Sequence, residues 1–135
     1  MVKKYLIDSN TIIDFCNGNL PENGRIFLMG INPEISIVTN IELFATKNIL
    51  QEEHELLERF VAFSVVHNVS KDLIDATIDI RKIYKIKLPD AIIAATALVY
   101  GMTLISRNSK DFVGIEGLEF LNPHNIITNS SPTIL

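Results

Sequence analysis

An α/β domain, with a parallel sheet covered by helices on both faces, is the fold class this sequence predicts. Short β-branched and apolar runs alternate with helical stretches along the chain. Parallel neighbours need a crossover of a dozen or more residues, which the helical stretches supply. The length of 135 residues suits one compact domain, since domains commonly run about 100 to 200 residues. We place that domain at residues 1–122, with 123–135 as a loosely held C-terminal tail containing Ser130, Ser131 and Pro132.

Lys4-Tyr5-Leu6-Ile7 reads as a short buried strand, and Ser9-Asn10 supplies capping chemistry for a helix through Ile12, Ile13 and Phe15. Gly18 and Asn19 stop that helix, and Pro21 separates it from a short helix over Glu22 to Met29. After a turn around Gly30 and Pro33, Ile35-Ser36-Ile37-Val38 forms a second strand. Thr39-Asn40 then leads into a helix with Glu42 in its first turn. Gln51 to Phe63 has helical apolar spacing behind the acidic start Glu52-Glu53-Glu55. Ser64-Val65-Val66 is a third strand, and Ser70 caps a helix running to about Tyr84. Pro89 opens another helix, with Asp90 in its first turn and Gly101 at its end. Thr103-Leu104-Ile105 is a fourth strand, Asn108 to Phe112 a loop or short helix start, and Glu119-Phe120-Leu121 an edge strand.

Hydrophobic residues make up 47% and charged residues 21%, which is the balance of a globular protein rather than a disordered one. The longest uncharged stretch, Ala91 to Ser106, carries Thr96, Gly101 and Thr103 and falls short of the ~18 apolar residues of a membrane span. Asp8 and Asp14 interrupt any signal-peptide core, so we expect a cytoplasmic protein. The single cysteine, Cys16, reads as a reduced, buried thiol rather than a nucleophile. The net charge of −4 argues against nucleic-acid binding unless something local offsets it.

Asp8 follows the first strand, Glu42 the second and Asp111 the fourth. Strands of a parallel sheet end at one edge, where ligands of such folds bind. Asp90 starts a helix instead, and would join that edge only if its helix were angled or displaced. Any one of these acids alone reads as a helix cap. Convergence of all of them is different, because carboxylates that share a site repel one another and raise one another's pKa values. A hard divalent cation resolves that repulsion, and oxygen donors with retained waters suit Mg²⁺ or Mn²⁺, ions that act on phosphates. Such an ion would also offset the acidic charge that argues against RNA. Arg81, Lys82, Lys85 and Lys87 before Asp90, and Arg107 and Lys110 around Asn108, are candidate RNA contacts, with Arg81 and Lys85 sharing a helix face. A solvated surface is the bland alternative for them. His54, His67 and His124 lack ligand spacing.

Leu6-Ile7-Asp8-Ser9-Asn10, Thr39-Asn40-Ile41-Glu42-Leu43, Leu88-Pro89-Asp90-Ala91-Ile92-Ile93-Ala94-Ala95-Thr96-Ala97 and Ser106-Arg107-Asn108-Ser109-Lys110-Asp111-Phe112 together resemble the PIN domain family, and within it the VapC-type toxins. The order and spacing of these segments cover residues 2 to about 122. The resemblance implies a three-layer α/β/α fold, Mg²⁺- or Mn²⁺-dependent endoribonuclease activity, and inhibition by a co-encoded antitoxin. It also implies that Asp8, Glu42 and Asp90 are metal ligands, that Ser9 and Asn10 orient the first aspartate, and that the Thr39 hydroxyl supports the site. Asn108 stands where many members carry an acid. Either Asp111 reaches the metal, directly or through water, or Asn108 orients that water and Asp111 caps a helix; we favour Asp111.

On this reading Asp8 and Asp90 hold the principal ion, while Glu42 and Asp111 complete the site or hold a second ion. A metal-activated water then hydrolyses the RNA phosphodiester. A PIN-like module that has lost catalysis and only binds a partner is one alternative. A phosphoaspartate phosphatase or receiver-type domain is another, disfavoured because Asp8-Ser9-Asn10 lacks the second acid of an Asp-x-Asp motif. The uniformly apolar Ile92-to-Val99 stretch exceeds what one buried stripe requires, and Leu43 and Phe44 lie near the proposed site. We expect such surface to join two copies into a homodimer and to receive an antitoxin helix.

Overall fold

The structure is a computed structural model and describes residues 2–127 of the chain. Five parallel strands run β1 (Tyr5–Ile7), β2 (Glu34–Ser36), β3 (Val65–His67), β4 (Thr103–Ile105) and β5 (Phe120–Leu121), in the spatial order β3-β2-β1-β4-β5. Tyr5, Leu6 and Ile7 pair with Thr103, Leu104 and Ile105 at the centre. Side chains alternate across each strand, so Leu6 and Leu104 join one core while Ile7, Ile35 and Ile105 join the other. On the first face pack α5 (Lys71–Ile83) and α6 (Leu88–Tyr100), through Leu73, Ile80, Ile93 and Ala94. On the second lie α1 (Ser9–Cys16), α2 (Glu22–Met29) and α4 (Gln51–Phe63), through Ile12, Leu28 and Leu57. α3 (Ile37–Phe44) follows β2 and contributes Val38 to the first core and Leu43 to the second. The fold is therefore three-layered α/β/α. β5 is at the edge, as its sequence suggests.

Two boundaries differ from the sequence reading. Ile37 and Val38 are helical, not extended, because the buried Ser36 hydroxyl accepts the Val38 N–H at 3.0 Å and starts α3 there. A β-branched pair gives no sign of this, since its strand propensity is weak against a well-made cap. At α1 the cap is Asp8 itself, with Ser9 and Asn10 already inside the helix. Elsewhere the punctuation acts as expected. Ser70 caps α5, and Gly101 takes the left-handed conformation (φ 66°) that closes α6 and that an L side chain enters only at a cost.

α6 has Ala91 and Ile93 through Ala97 buried, enclosed by α5, α3, α7 (Ser109–Phe112) and the sheet. Most of its apolar excess is therefore consumed inside the domain, while Ile92, Leu98 and Val99 are half-buried and Leu88 is exposed. Leu43 is likewise core, and Phe44 lies edge-on against His54. The apolar side chains left in solvent nearby are Val69, Ile74, Ile78 and Leu88, around a shallow cavity of about 230 Å³ between α5 and the start of α6. The expectation of a loose tail falls largely on residues 128–135, outside the described residues. Pro123–Asn125 forms a 3₁₀ turn with Pro123 buried against α2. Gly24 lies under it, where any Cβ would run into the Pro123 carbonyl.

Candidate active site

The chain leaves β1 toward β2 on one side, and returns through α5 and α6 to β4 on the other. The carboxyl ends of β1 and β4 thus flank the point where the winding reverses, the place where open α/β sheets form a crevice. Asp8 stands at the end of β1 and Ser106 at the end of β4. The Asp8 N–H donates to the Ile105 carbonyl at 2.9 Å. The Asp8 carboxylate is 4% exposed. Its Oδ1 accepts the Ser9 N–H at 2.8 Å, and its Oδ2 accepts from the Ser106 hydroxyl at 2.8 Å and the Asn10 amide at 3.2 Å. Burial raises its pKa, and these bonds partly offset the rise. Ser106 has a place at the site that the sequence reading did not give it. The signal was present, since Ser106 follows β4 as Asp8 follows β1.

Glu42 is the sixth residue of α3, not a first-turn residue, because that helix begins earlier than the sequence suggests. The capping explanation fails for it: near the negative end of a helix a carboxylate gains nothing from the dipole. Its Oε1 instead accepts the Ser9 hydroxyl at 3.1 Å. Burial raises its pKa and the charge of Asp8 adds to the rise, against the Ser9 bond. Ser9 therefore serves Glu42 through its side chain and Asp8 through its backbone.

Asp90 needs no displaced helix, and here the expectation is corrected. α6 leads into β4, a parallel strand, so it runs antiparallel to the sheet and its N-terminus lies at the carboxyl edge. Burial raises the Asp90 pKa to about 6, with the charges of Asp111, Asp8 and Glu42 adding to the rise and Lys87 opposing it. The other three carboxylates thus bear on Asp90 at one edge of the sheet. Asp111 is exposed in α7 (Ser109–Phe112), and the Asn108 side-chain amide donates to its Oδ2. Asn108 and Asp111, the two candidates for the fourth position, are thus hydrogen-bonded to each other. Thr39 is fully buried, and its hydroxyl has no partner among the described residues, so no bond ties it to the acids.

The basic candidates separate. Lys87 is the N-cap of α6 beside Asp90, and Lys110 adjoins Asp111; both are exposed. Arg81 is exposed on α5, but Lys85 lies beyond the end of that helix, so the two do not share a helix face. Arg107 is bonded to Asp14. His54 pairs with Glu58, His67 with Glu34 and His124 with Asp14, all apart from the acid cluster. Cys16 is half-buried, which pushes its thiol pKa up and leaves it unreactive.

Among the described residues no three His, Cys, Asp or Glu side chains are drawn together tightly enough to ligate one ion, and none of Asp8, Glu42 or Asp90 has an ion-pair partner among them. The donor set is nevertheless all oxygen, buried at its base and uncompensated, which fits a small divalent cation that keeps several of its waters.

No helix among the described residues is long and apolar enough to cross a membrane. The PIN domain family profile matches residues 5–117. No curated protein is significantly similar. Among solved structures, a chain of a toxin–antitoxin complex from Klebsiella pneumoniae is 32% identical, with a TM-score of 0.75 over 91% of this chain and 100% of that one. A chain of DNA-bound VapBC from Salmonella typhimurium is 23% identical, with a TM-score of 0.77 over 90% and 99%. A chain of FitAcB from Neisseria gonorrhoeae is 20% identical, with a TM-score of 0.74 over 90% and 99%. The family match over residues 5–117, which takes in Asp8, Glu42, Asp90 and Asp111, places this chain in the PIN domain family.

Proposed function

We propose that this chain is a Mg²⁺- or Mn²⁺-dependent endoribonuclease, and the toxin of a toxin–antitoxin pair. The observation that carries the reading is that Asp8, Glu42 and Asp111 all bear on Asp90 at the point where the sheet winding reverses, beside a buried Asp8 carboxylate held by Ser106, Asn10 and Ser9. Asp8 and Asp90 would hold the cation, with Glu42 and Asp111 completing its shell or holding a second ion once RNA is present. A cation there lowers the pKa of a nearby water and offsets charge on the phosphate. Ser106 and Asn10 hold Asp8, Ser9 holds Glu42, and Asn108 holds Asp111. Lys87 and Lys110 flank the acids and are our first candidates for phosphate contact; Arg81 and Lys85 lie farther along the same chain segment. Attack of water on phosphorus with loss of the 3′ oxygen leaves a 5′-phosphate and a 3′-hydroxyl. Incubation of total RNA with the protein and Mn²⁺ should yield those ends, and a 2′,3′-cyclic phosphate would overturn the mechanism.

A cognate antitoxin is the protein partner we assign, on the likeness to toxin–antitoxin complexes; it should co-purify as the product of a neighbouring gene. A second copy of the chain is assigned to the apolar face of Val69, Ile74, Ile78 and Leu88. Wild type should elute as a dimer at micromolar concentration, and Ile78→Lys as a monomer with an unchanged melting temperature. A monomeric wild type counts against the dimer.

A further inference from the structure

Asp14 is an acid that the cluster does not use: the charges acting on Asp90 are Asp111, Asp8, Glu42 and Lys87. Its side chain is 6% exposed, on α1. A buried carboxylate is costly unless paired and hydrogen-bonded. Here Arg107 Nη1 donates to both oxygens at 2.9 Å, and His124 Nε2 lies 2.9 Å from Oδ2. Arg107 sits between Ser106 and Asn108 in the segment linking β4 to α7. Its own N–H donates to Asn10 Oδ1 at 3.3 Å, and the Asn108 N–H donates to Ser106 Oγ at 3.0 Å. Ser106 in turn holds Asp8, and Asn108 holds Asp111. The residue gripped by Asp14 thus lies in sequence between the two side chains that hydrogen-bond Asp8 and Asp111.

We propose that Asp14 is a positioning residue: by gripping Arg107 it clamps the Ser106–Asn108 segment to α1, and so fixes Asp111 and Asp8 relative to one another. The inference rests on the nuclease reading above. It also removes Arg107 from the RNA contacts, since a guanidinium held on both oxygens of one carboxylate is committed to that carboxylate. A misplacement of about 1 Å in a catalytic group costs up to about 100-fold in rate. Loss of the clamp should therefore appear in kcat rather than in KM.

Asp14→Asn and Arg107→Met should each lower kcat about 10- to 100-fold, with KM within about twofold. Arg107→Lys, whose ammonium still reaches Asp14, should recover several-fold over Arg107→Met. His124→Ala removes the other bond to Asp14 but not the clamp, and should keep kcat within about twofold. Hydrogen exchange across residues 107–112 should quicken in Arg107→Met, a readout that holds even if the wild type cleaves no RNA and the nuclease reading itself fails. Should Asp14→Asn not fold, the Arg107 pair tests the same contact from its solvent side, the Arg107 side chain being 53% exposed. Wild-type kcat in Arg107→Met overturns the proposal, as does a rise in KM alone, which would make Arg107 an RNA contact. A loss in His124→Ala as large as in Arg107→Met overturns it too, by making the effect one of general packing.

Discussion

Asp8→Asn is expected to lower RNA cleavage by at least about 10³-fold while shifting the melting temperature by only a few degrees. The substitution keeps the shape and removes the charge. An Asn oxygen can still accept the Ser9 N–H, and its amide can donate to the Ser106 hydroxyl, while the bond from the Asn10 amide is lost. What is lost is a carboxylate whose buried charge is disfavoured in the absence of a cation, so folding gains what the bond network gives up. Rate and stability therefore separate at this position, as they do not at a core residue such as Leu6. Cleavage assayed with Mn²⁺ beside a thermal melt decides it: full activity in Asp8→Asn removes the acid cluster from catalysis, and loss of folding removes the separation.

The second large effect is on stability and concerns Asp90. Burial, with the charges of Asp111, Asp8 and Glu42, pushes its carboxyl up to about 6, well above the ordinary aspartate range. An acid whose folded pKa lies above its unfolded one binds its proton more readily in the folded state. Its contribution is fully present below the unfolded value and is lost as pH rises through the folded one. Asp8 and Glu42 are shifted in the same direction. The metal-free protein should thus melt higher near pH 4.5 than near pH 7.5, with the decline centred between roughly 4 and 6. Asp90→Asn should flatten that decline and raise the melting temperature at pH 7.5. A cation bound to the folded chain acts in the opposite sense to the repulsion. At about a hundred times its dissociation constant it adds about 2.7 kcal/mol, or about 10 °C for a chain of this size, and EDTA should reverse the gain. Absence of any Mn²⁺-dependent shift at pH 7.5 would count against the cluster as a cation site, and a melting temperature that rises with pH would contradict the repulsion itself.

The elements that local chemistry specifies were legible in the sequence. The pairing of Pro21 with Gly30 bounds α2, and Ser70 with Tyr84 bounds α5, because caps and breakers act on their own turn of chain. The strand ends carrying Asp8 and Asp111 were legible for the same reason, together with the rule that parallel strands end at one edge. The start of α3 was not: whether Ile37 and Val38 extend or coil depends on the Ser36 hydroxyl finding the Val38 N–H, a choice between two locally acceptable conformations that packing decides. That shift of a few residues moved Glu42 out of the first turn, and removed the plain explanation for an acid there.

The sequence by itself determined an α/β chain, its parallel sheet and the identities of the acids, since periodicity, caps and the order of strands and helices are properties of near neighbours. The tertiary structure alone decided that Asp90 reaches the other acids without any bend in its helix, because the direction of α6 follows from the strand it feeds. It alone decided that α6 buries most of its apolar surface inside the domain, and that the Asn108 amide meets Asp111. It alone brought Asp14 to Arg107, ninety-three positions away. Nothing in the spacing of those residues foretells it, because a buried charge finds its partner by where the chain returns.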